Sequence, residues 1–199
     1  MNSVNIIRVD GFLTDIEMGV FDKELLKLNV SLKESTYKTT MKYCRVNLDD
    51  YYDDDRSKSD IIKIIHTKLF NEKMYSNIPE TEELLKMIPL SSNSECQYTV
   101  YKPGGLYSWH IDSMLTEIYY TRPFRMANYI YYLNDDFEGG ELNISFNKNK
   151  YVNTETLTGD LVITPKKNTL VIMPADAWHM VSPIIKGERR TINGHIGFR

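Results

Sequence analysis

The residues best suited to chemistry lie in the second half of this chain, beginning with His110-Ile111-Asp112 in GLYSWHIDS. Positions i and i+2 of a strand face the same side, so this His and this Asp can bind one ion together. An H-x-D triplet by itself is commonly a structural His bonded to a nearby Asp. A third candidate changes the reading: His179, in MPADAWHMVSP. Two imidazoles and one carboxylate make the facial triad that leaves three positions open on an octahedral ferrous ion. A bidentate oxo-acid can fill two of them and dioxygen the third, which a closed structural site would not permit. Beyond His179 stands Arg189, in KGERRT, whose planar fork suits a carboxylate. If RTINGHIGF is a strand, Arg189, Thr191, Asn193 and His195 share one face, while Arg190 and Ile192 share the other.

These residues need a strand-rich scaffold, and the sequence from Cys96 onward has that texture. QYTVYK, LYSWHID, MANYIYYLN, ELNISF, LVITP, TLVIMP and RTINGHIGF are short β-rich runs separated by Gly, Pro, Asn and Asp. Their spacing predicts a sandwich or barrel. Parity on MANYIYYLN places Asn128, Ile130 and Tyr132 on one face and Tyr129 and Tyr131 on the other. The first half is mixed. A strand is expected near Asn5 to Val9, then a helix from Asp15 with Ile16, Val20 and Leu25 on one face. A second helix is expected between Ser57 and Lys73, carrying His66, and a third over Glu80 to Met87, ending before Pro89. The acidic run from Asp49 to Arg56 reads as a solvated loop or as a surface for a basic partner.

Composition narrows the function classes. With 199 residues, a formal charge of −3 and ordinary hydrophobic content, the chain can bury a core and has no global positive field for nucleic acid. Only Cys44 and Cys96 are present, too few for a disulfide scaffold or a Cys-based zinc site. MNSVNIIRVDGF lacks the features of a signal peptide, and no apolar run is long enough to span a bilayer. A soluble, cytoplasmic protein is expected, with no membrane partner. Its Asn, Lys, Ile and Tyr bias is compatible with an AT-rich viral genome. With only 4 His in the chain, any metal site draws on a short list.

The span from Gln97 to Phe198 resembles the core of the 2-oxoglutarate and Fe(II)-dependent dioxygenases, in particular the prolyl 4-hydroxylase-like branch. The landmarks are YKPGGLYSWHIDS, RPFRMANYIYYLNDDFEGGELNI and TPKKNTLVIMPADAWHMVSPIIKGERRTINGH. The opening IIRVDGFLTDIE also resembles the lead-in of that branch. The resemblance implies a mainly β protein with α-helical N-terminal support and a double-stranded β-helix core of jelly-roll or cupin-like type. A single domain over 1–199 follows, with a helical supporting arm at 1–95 and the core at 96–199. His110, Asp112 and His179 become the iron ligands, and Arg189 and Tyr132 hold the far carboxylate of 2-oxoglutarate, with Asn193 and Tyr101 beside it. Tyr107, Asn128, Ile130, His195, Arg122 and Arg125 are candidates for the pocket or the substrate. Arg122 and Arg125 can equally be solvated, and Tyr101 and Tyr107 can simply pack. His195 stands where relatives commonly carry Trp, so it either fills the barrel or works near the iron, a water or the substrate. The Glu138-Gly139-Gly140-Glu141 turn reads as structural.

By resemblance the activity is hydroxylation of an unactivated C–H bond with Fe(II), 2-oxoglutarate and O2, and with ascorbate as a reductant. Asp112 disfavours a halogenase, which needs a small residue there. The branch favours a proline in a peptide or protein, with 113–123 as a candidate lid. The same chemistry on a free amino acid, a small molecule or nucleic acid is the rival within the class. Outside it stands a barrel that binds a metal or a ligand without turnover. Substrate identity and oligomeric state are not legible.

Overall fold

The structure is a computed structural model and describes residues 6–34, 43–71, 93–113, 124–145 and 159–198. The helix expected over Glu80 to Met87, Arg122, and the candidate lid beyond Ser113 lie outside the described residues.

Two antiparallel sheets face each other, as the resemblance implied. The larger sheet joins β1 (Ile7–Asp10), β2 (Lys33–Glu34), β3 (Cys44–Asn47), β4 (Asn93–Ser94), β5 (Gln97–Tyr101), β7 (Phe124–Tyr132), β11 (Thr169–Pro174) and β14 (Arg189–Phe198). Its order is β1-β11-β7-β14-β5-β3-β2, with β4 also on β14. The smaller sheet runs in the order β10-β9-β12-β6, from β6 (Tyr107–His110), β9 (Leu142–Ser145), β10 (Leu161–Ile163) and β12 (Trp178–Val181). A two-stranded pair joins β8 (Glu138–Gly139) to β13 (Ile184–Lys186). β12 is absent from the runs expected as strands. Four residues between the ADA turn and Ser182-Pro183 are too short to display alternation, and pairing on both sides makes the strand. The strand expected near Asn5 to Val9 is β1, and the first half adds β3 to the large sheet as well.

Side-chain alternation divides the large sheet into two working faces. One face buries Tyr98, Tyr129, Tyr131, Leu170, Ile172 and Ile192 beneath α1 (Asp15–Leu28) and α3 (Asp60–Leu69). Tyr129 and Tyr131 therefore turn away from the barrel, but they are 0% and 1% exposed because helices cover them. The opposite face packs Tyr132, Val171 and Met173 against Leu142 and Ile144 of the small sheet. The site lies in this inter-sheet space.

Helix α1 begins with a capping box: Thr14 Oγ1 accepts from Glu17 N, and the Glu17 carboxylate accepts from Thr14 N. It buries Phe21, Glu24, Leu25 and Leu28, while Ile16 is 82% exposed, so the expected Ile16-Val20-Leu25 face is corrected. A Phe-Leu-Leu stripe buries more area against the Tyr-rich sheet than one through Ile16. Helix α3 is shorter than expected from the sequence. Ser59 caps it, and Arg56–Lys58 forms a separate 3-10 turn. Ten residues are marginal as an isolated helix. Burial of Ile61, Ile62, Ile65 and Leu69, each contributing about 2 kcal/mol, holds it in place.

The acidic run is not a plain solvated loop. Leu48–Tyr51 forms one helical turn, α2, and Asp49 is buried with Arg56 Nε at 2.7 Å from its carboxylate. Cys96 is fully buried, and burial pushes its thiol up to about 12, which leaves it inert. Cys44 is half-buried. No helix among the described residues is long and apolar enough to cross a membrane.

Candidate metal and cosubstrate site

Neighbouring strands of the small sheet carry the two histidines. β6 ends at His110, which pairs in register with His179 of β12. Asp112 follows just beyond the strand, so strand alternation alone does not aim it. Its backbone N–H donates to Ala175 O at 2.9 Å, as does that of Ser113. The ligating atoms of His110, Asp112 and His179 all lie within 4.8 Å of one another.

Both imidazoles are oriented from behind. His110 Nδ1–H donates to Ser108 O at 2.7 Å, and His179 Nδ1–H donates to Ala177 O at 2.9 Å. A carbonyl only accepts, so the proton sits on Nδ1 and the lone pair on Nε2. Each Nε2 faces Asp112, at 3.8 Å from Oδ1 for His110 and 3.3 Å from Oδ2 for His179. Ligands about 2.1 Å from a common ion lie roughly 3–4 Å apart, so the donor set fits one divalent metal. Burial, then the neighbouring His179, pushes His110 down to about 3, which keeps it neutral and ready to ligate. Burial, the largest single influence, would raise the Asp112 carboxyl, but the combined pull of His179, His195 and His110 holds the group below the usual carboxylate range.

Arg189 enters the same cavity from β14 of the large sheet. It is 1% exposed, and its Nε and one terminal nitrogen have no hydrogen-bond partner among the described residues. Its guanidinium lies 5.1 Å from the ring centroids of both Tyr101 and Tyr132. The Tyr132 hydroxyl is also buried, with no hydrogen-bond partner among the described residues, and burial raises its pKa so that it stays a neutral donor. A buried, unpartnered cation costs several kcal/mol unless an anion meets it. A carboxylate at this end would satisfy both Arg189 and Tyr132. Gly140 makes room for the Arg189 stem. A Cβ there would sit 3.0 Å from Arg189 Cδ and 2.5 Å from Ile184 Cδ1, on a backbone with φ of +71°.

The cavity between triad and arginine is about 150 Å³, suited to a small organic acid. Asn193, Asn128, Ile130, Tyr101, Tyr107 and His195 line it, as does Arg125. Asn193 Oδ1 accepts from Thr99 Oγ1 at 2.7 Å. The Tyr107 ring lies 3.9 Å from that of His110 and stacks on Tyr43. Arg125 is neither solvated nor free: its terminal nitrogen bonds both Glu95 carboxylate oxygens, at 3.0 and 3.2 Å. Sequence reasoning missed Glu95, Thr99 and Tyr43. Inward parity on QYTVYK could have found Thr99, whereas Glu95 and Tyr43 carry no local signal.

The comparisons fit this geometry. A family model described as the 2OG-Fe(II) oxygenase superfamily matches residues 96–197. A prolyl-4-hydroxylase from Pseudomonas putida aligns at TM-score 0.63 and 18% identity, covering 99% of this chain and 94% of that one. A viral collagen prolyl hydroxylase from Paramecium Bursaria Chlorella virus-1, in a 2OG complex, aligns at TM-score 0.64 and 22% identity, covering 98% and 97%. A prolyl hydroxylase from Trichoplax adhaerens, in complex with a hypoxia inducible factor peptide fragment, aligns at TM-score 0.67 and 18% identity, covering 99% and 85%. Among curated proteins, no sequence matches.

Proposed function

The chain belongs to the 2OG-Fe(II) oxygenase superfamily, an oxidoreductase family that uses Fe(II), 2-oxoglutarate and dioxygen, and from that premise we propose that it hydroxylates proline in a peptide or protein. His110, Asp112 and His179 hold the iron, while Arg189 and Tyr132 hold the far carboxylate of 2-oxoglutarate. The observation that carries the site assignment is the pairing of a preoriented Nε2, Nε2, carboxylate set with a buried guanidinium, two of whose nitrogens no described residue meets, across one cavity. When bound, the metal and cosubstrate supply oxidative decarboxylation to succinate and CO2, coupled to hydroxylation of a C–H bond.

The protein's own residues supply geometry. Ser108 O and Ala177 O keep each imidazole in the tautomer that presents Nε2. The Ala175 carbonyl holds the Asp112 backbone in place. Arg189 and the neutral Tyr132 hydroxyl orient the cosubstrate by its carboxylate, and Ile130, Met173 and Val181 give the cavity an apolar wall. Peptide proline as the substrate is supported by the folds of three prolyl hydroxylases, one of them a peptide complex. A net charge of −3 disfavours nucleic acid.

Two measurements test this. Anaerobic protein with Fe(II) and 2-oxoglutarate shows a weak visible charge-transfer band, and His110→Ala abolishes it; retention of the band overturns the ligand assignment. Mass spectrometry of proline-containing peptides shows a one-oxygen mass gain that requires 2-oxoglutarate. No gain on any peptide, with a gain on another substrate class, refutes the proline reading.

A further inference from the structure

The cavity has a second end, remote from Arg189. Asn128 and Tyr132 both face inward on β7, and at roughly 3.3 Å per residue their Cα atoms are about 13 Å apart. On β14 the same rise separates Arg189 from His195 by about 20 Å. His195 Nδ1 lies 3.9 Å from Asp112 Oδ2, so the His195 end borders the metal triad on the side away from Arg189. A short dicarboxylate anchored at Arg189 and at the metal does not extend to Asn128. This end is left for the molecule being oxidised.

Its polar groups are nearly all paired with one another. The Glu95 carboxylate is held by Arg125. The Glu95 main chain is clamped, since its N–H donates to His195 O at 2.9 Å and its carbonyl accepts from Tyr129 Oη at 2.8 Å. Gly194 permits that approach, because a Cβ there would lie 1.7 Å from the Glu95 carbonyl oxygen. His195 Nδ1–H donates to Asn128 Oδ1 at 2.8 Å. Asn128 is 3% exposed, and its Nδ2 has no partner among the described residues. An unpaired buried amide costs about 1–3 kcal/mol, so native cores keep few of them.

We propose that Asn128 is a substrate-recognition residue whose side-chain amide donates to a main-chain carbonyl oxygen of the peptide, and that His195 is the positioning residue that fixes the amide in that orientation. The inference rests on the peptide reading above. The chemistry selects a neutral acceptor. Nδ2 is a neutral donor, which a neutral carbonyl oxygen meets without any mismatch of charge. A proline has no main-chain N–H, so its carbonyls are the polar handle that its backbone offers. By taking Oδ1, His195 fixes which end of the amide is the acceptor and leaves Nδ2 as the donor still to be met.

The test measures binding, with no turnover needed. Protein loaded with Zn(II) and 2-oxoglutarate is titrated with a fluorescent, end-blocked proline-rich peptide, followed by anisotropy. Asn128→Ala weakens peptide binding about five- to tenfold, the equivalent of one hydrogen bond, while 2-oxoglutarate affinity stays within about twofold. Replacing the proline carbonyl by a thioamide weakens binding to wild type by a similar factor and adds nothing further in Asn128→Ala. His195→Phe weakens peptide binding, and His195→Gln, which retains a donor for Asn128 Oδ1, recovers most of it. Unchanged peptide affinity in Asn128→Ala, an equal thioamide penalty in both proteins, or loss of 2-oxoglutarate binding in that variant overturns the assignment. Wild-type protein that binds no proline peptide removes the peptide reading and this inference together, whereas wild-type binding with an unaffected Asn128→Ala removes this inference alone.

Discussion

Arg189 shows how a single side chain can reveal what a cavity is built to receive. Its guanidinium is buried against two tyrosine rings, with donors that no described residue meets. Charge-assisted hydrogen bonds contribute roughly 1.5–3 kcal/mol each, against about 1 kcal/mol for a neutral hydroxyl. Arg189→Ala is therefore expected to weaken 2-oxoglutarate binding more than tenfold, and Tyr132→Phe by about three- to tenfold, by calorimetry on the Zn(II)-loaded protein. Arg189→Lys recovers only part, because an ammonium lacks the planar fork. At this scale the sequence was most legible where residue type limits role: few histidines, one H-x-D, one Arg at inward parity. Glu95 was not legible, because its place depends on clamps from Tyr129 and the main chain of His195, which are distant in sequence.

The elements are held to one another by contacts that hydropathy does not announce. Glu24 of α1 is 6% exposed and acts as a remote cap for α3. Its carboxylate accepts from Ile61 N at 2.9 Å, Ser59 Oγ at 2.6 Å and Tyr52 Oη at 2.9 Å. An anion at a helix N-terminus meets both the free N–H groups and the dipole. Glu24→Ala is expected to cost about 2–3 kcal/mol, read as a lower urea midpoint with an unchanged slope. Glu24→Gln, which keeps an acceptor oxygen, costs less. Thr14→Ala at the α1 capping box costs about 1 kcal/mol. The T-x-x-E spacing of that box stands in the sequence, whereas nothing local marks Glu24 as buried. Ile16 illustrates the converse error, since an apolar residue in helical phase stays at the surface when Phe21 and Leu25 already fill the contact with the sheet.

For the molecule as a whole, opposing two sheets keeps a set of ionisable groups out of water, and this couples stability to pH. His110 is held at about 3 against its ordinary 6.5, and burial lowers His195 as well. Between those values the unfolded chain binds protons that the folded chain refuses, so this contribution is full above 6.5 and is lost as pH falls toward 3. Asp112 acts in the same direction at lower pH, its contribution being lost below its ordinary 3.8. Metal-free protein should thus lose unfolding free energy between pH 7 and pH 5 in urea titrations, and His110→Asn should flatten that slope; equal slopes would show that His110 is solvated in the native state. Local composition and alternation determined the β-rich second half, the inward parity of β7 and β14, and the few side chains able to ligate or bind a carboxylate, because these follow from residue type and a two-residue period. Only the tertiary structure decided that β12 is a strand, that Arg125 is paired with Glu95, and that Asn128 keeps a buried donor free. Those outcomes depend on which groups from distant segments meet, and burial sets their energy only once the two sheets close.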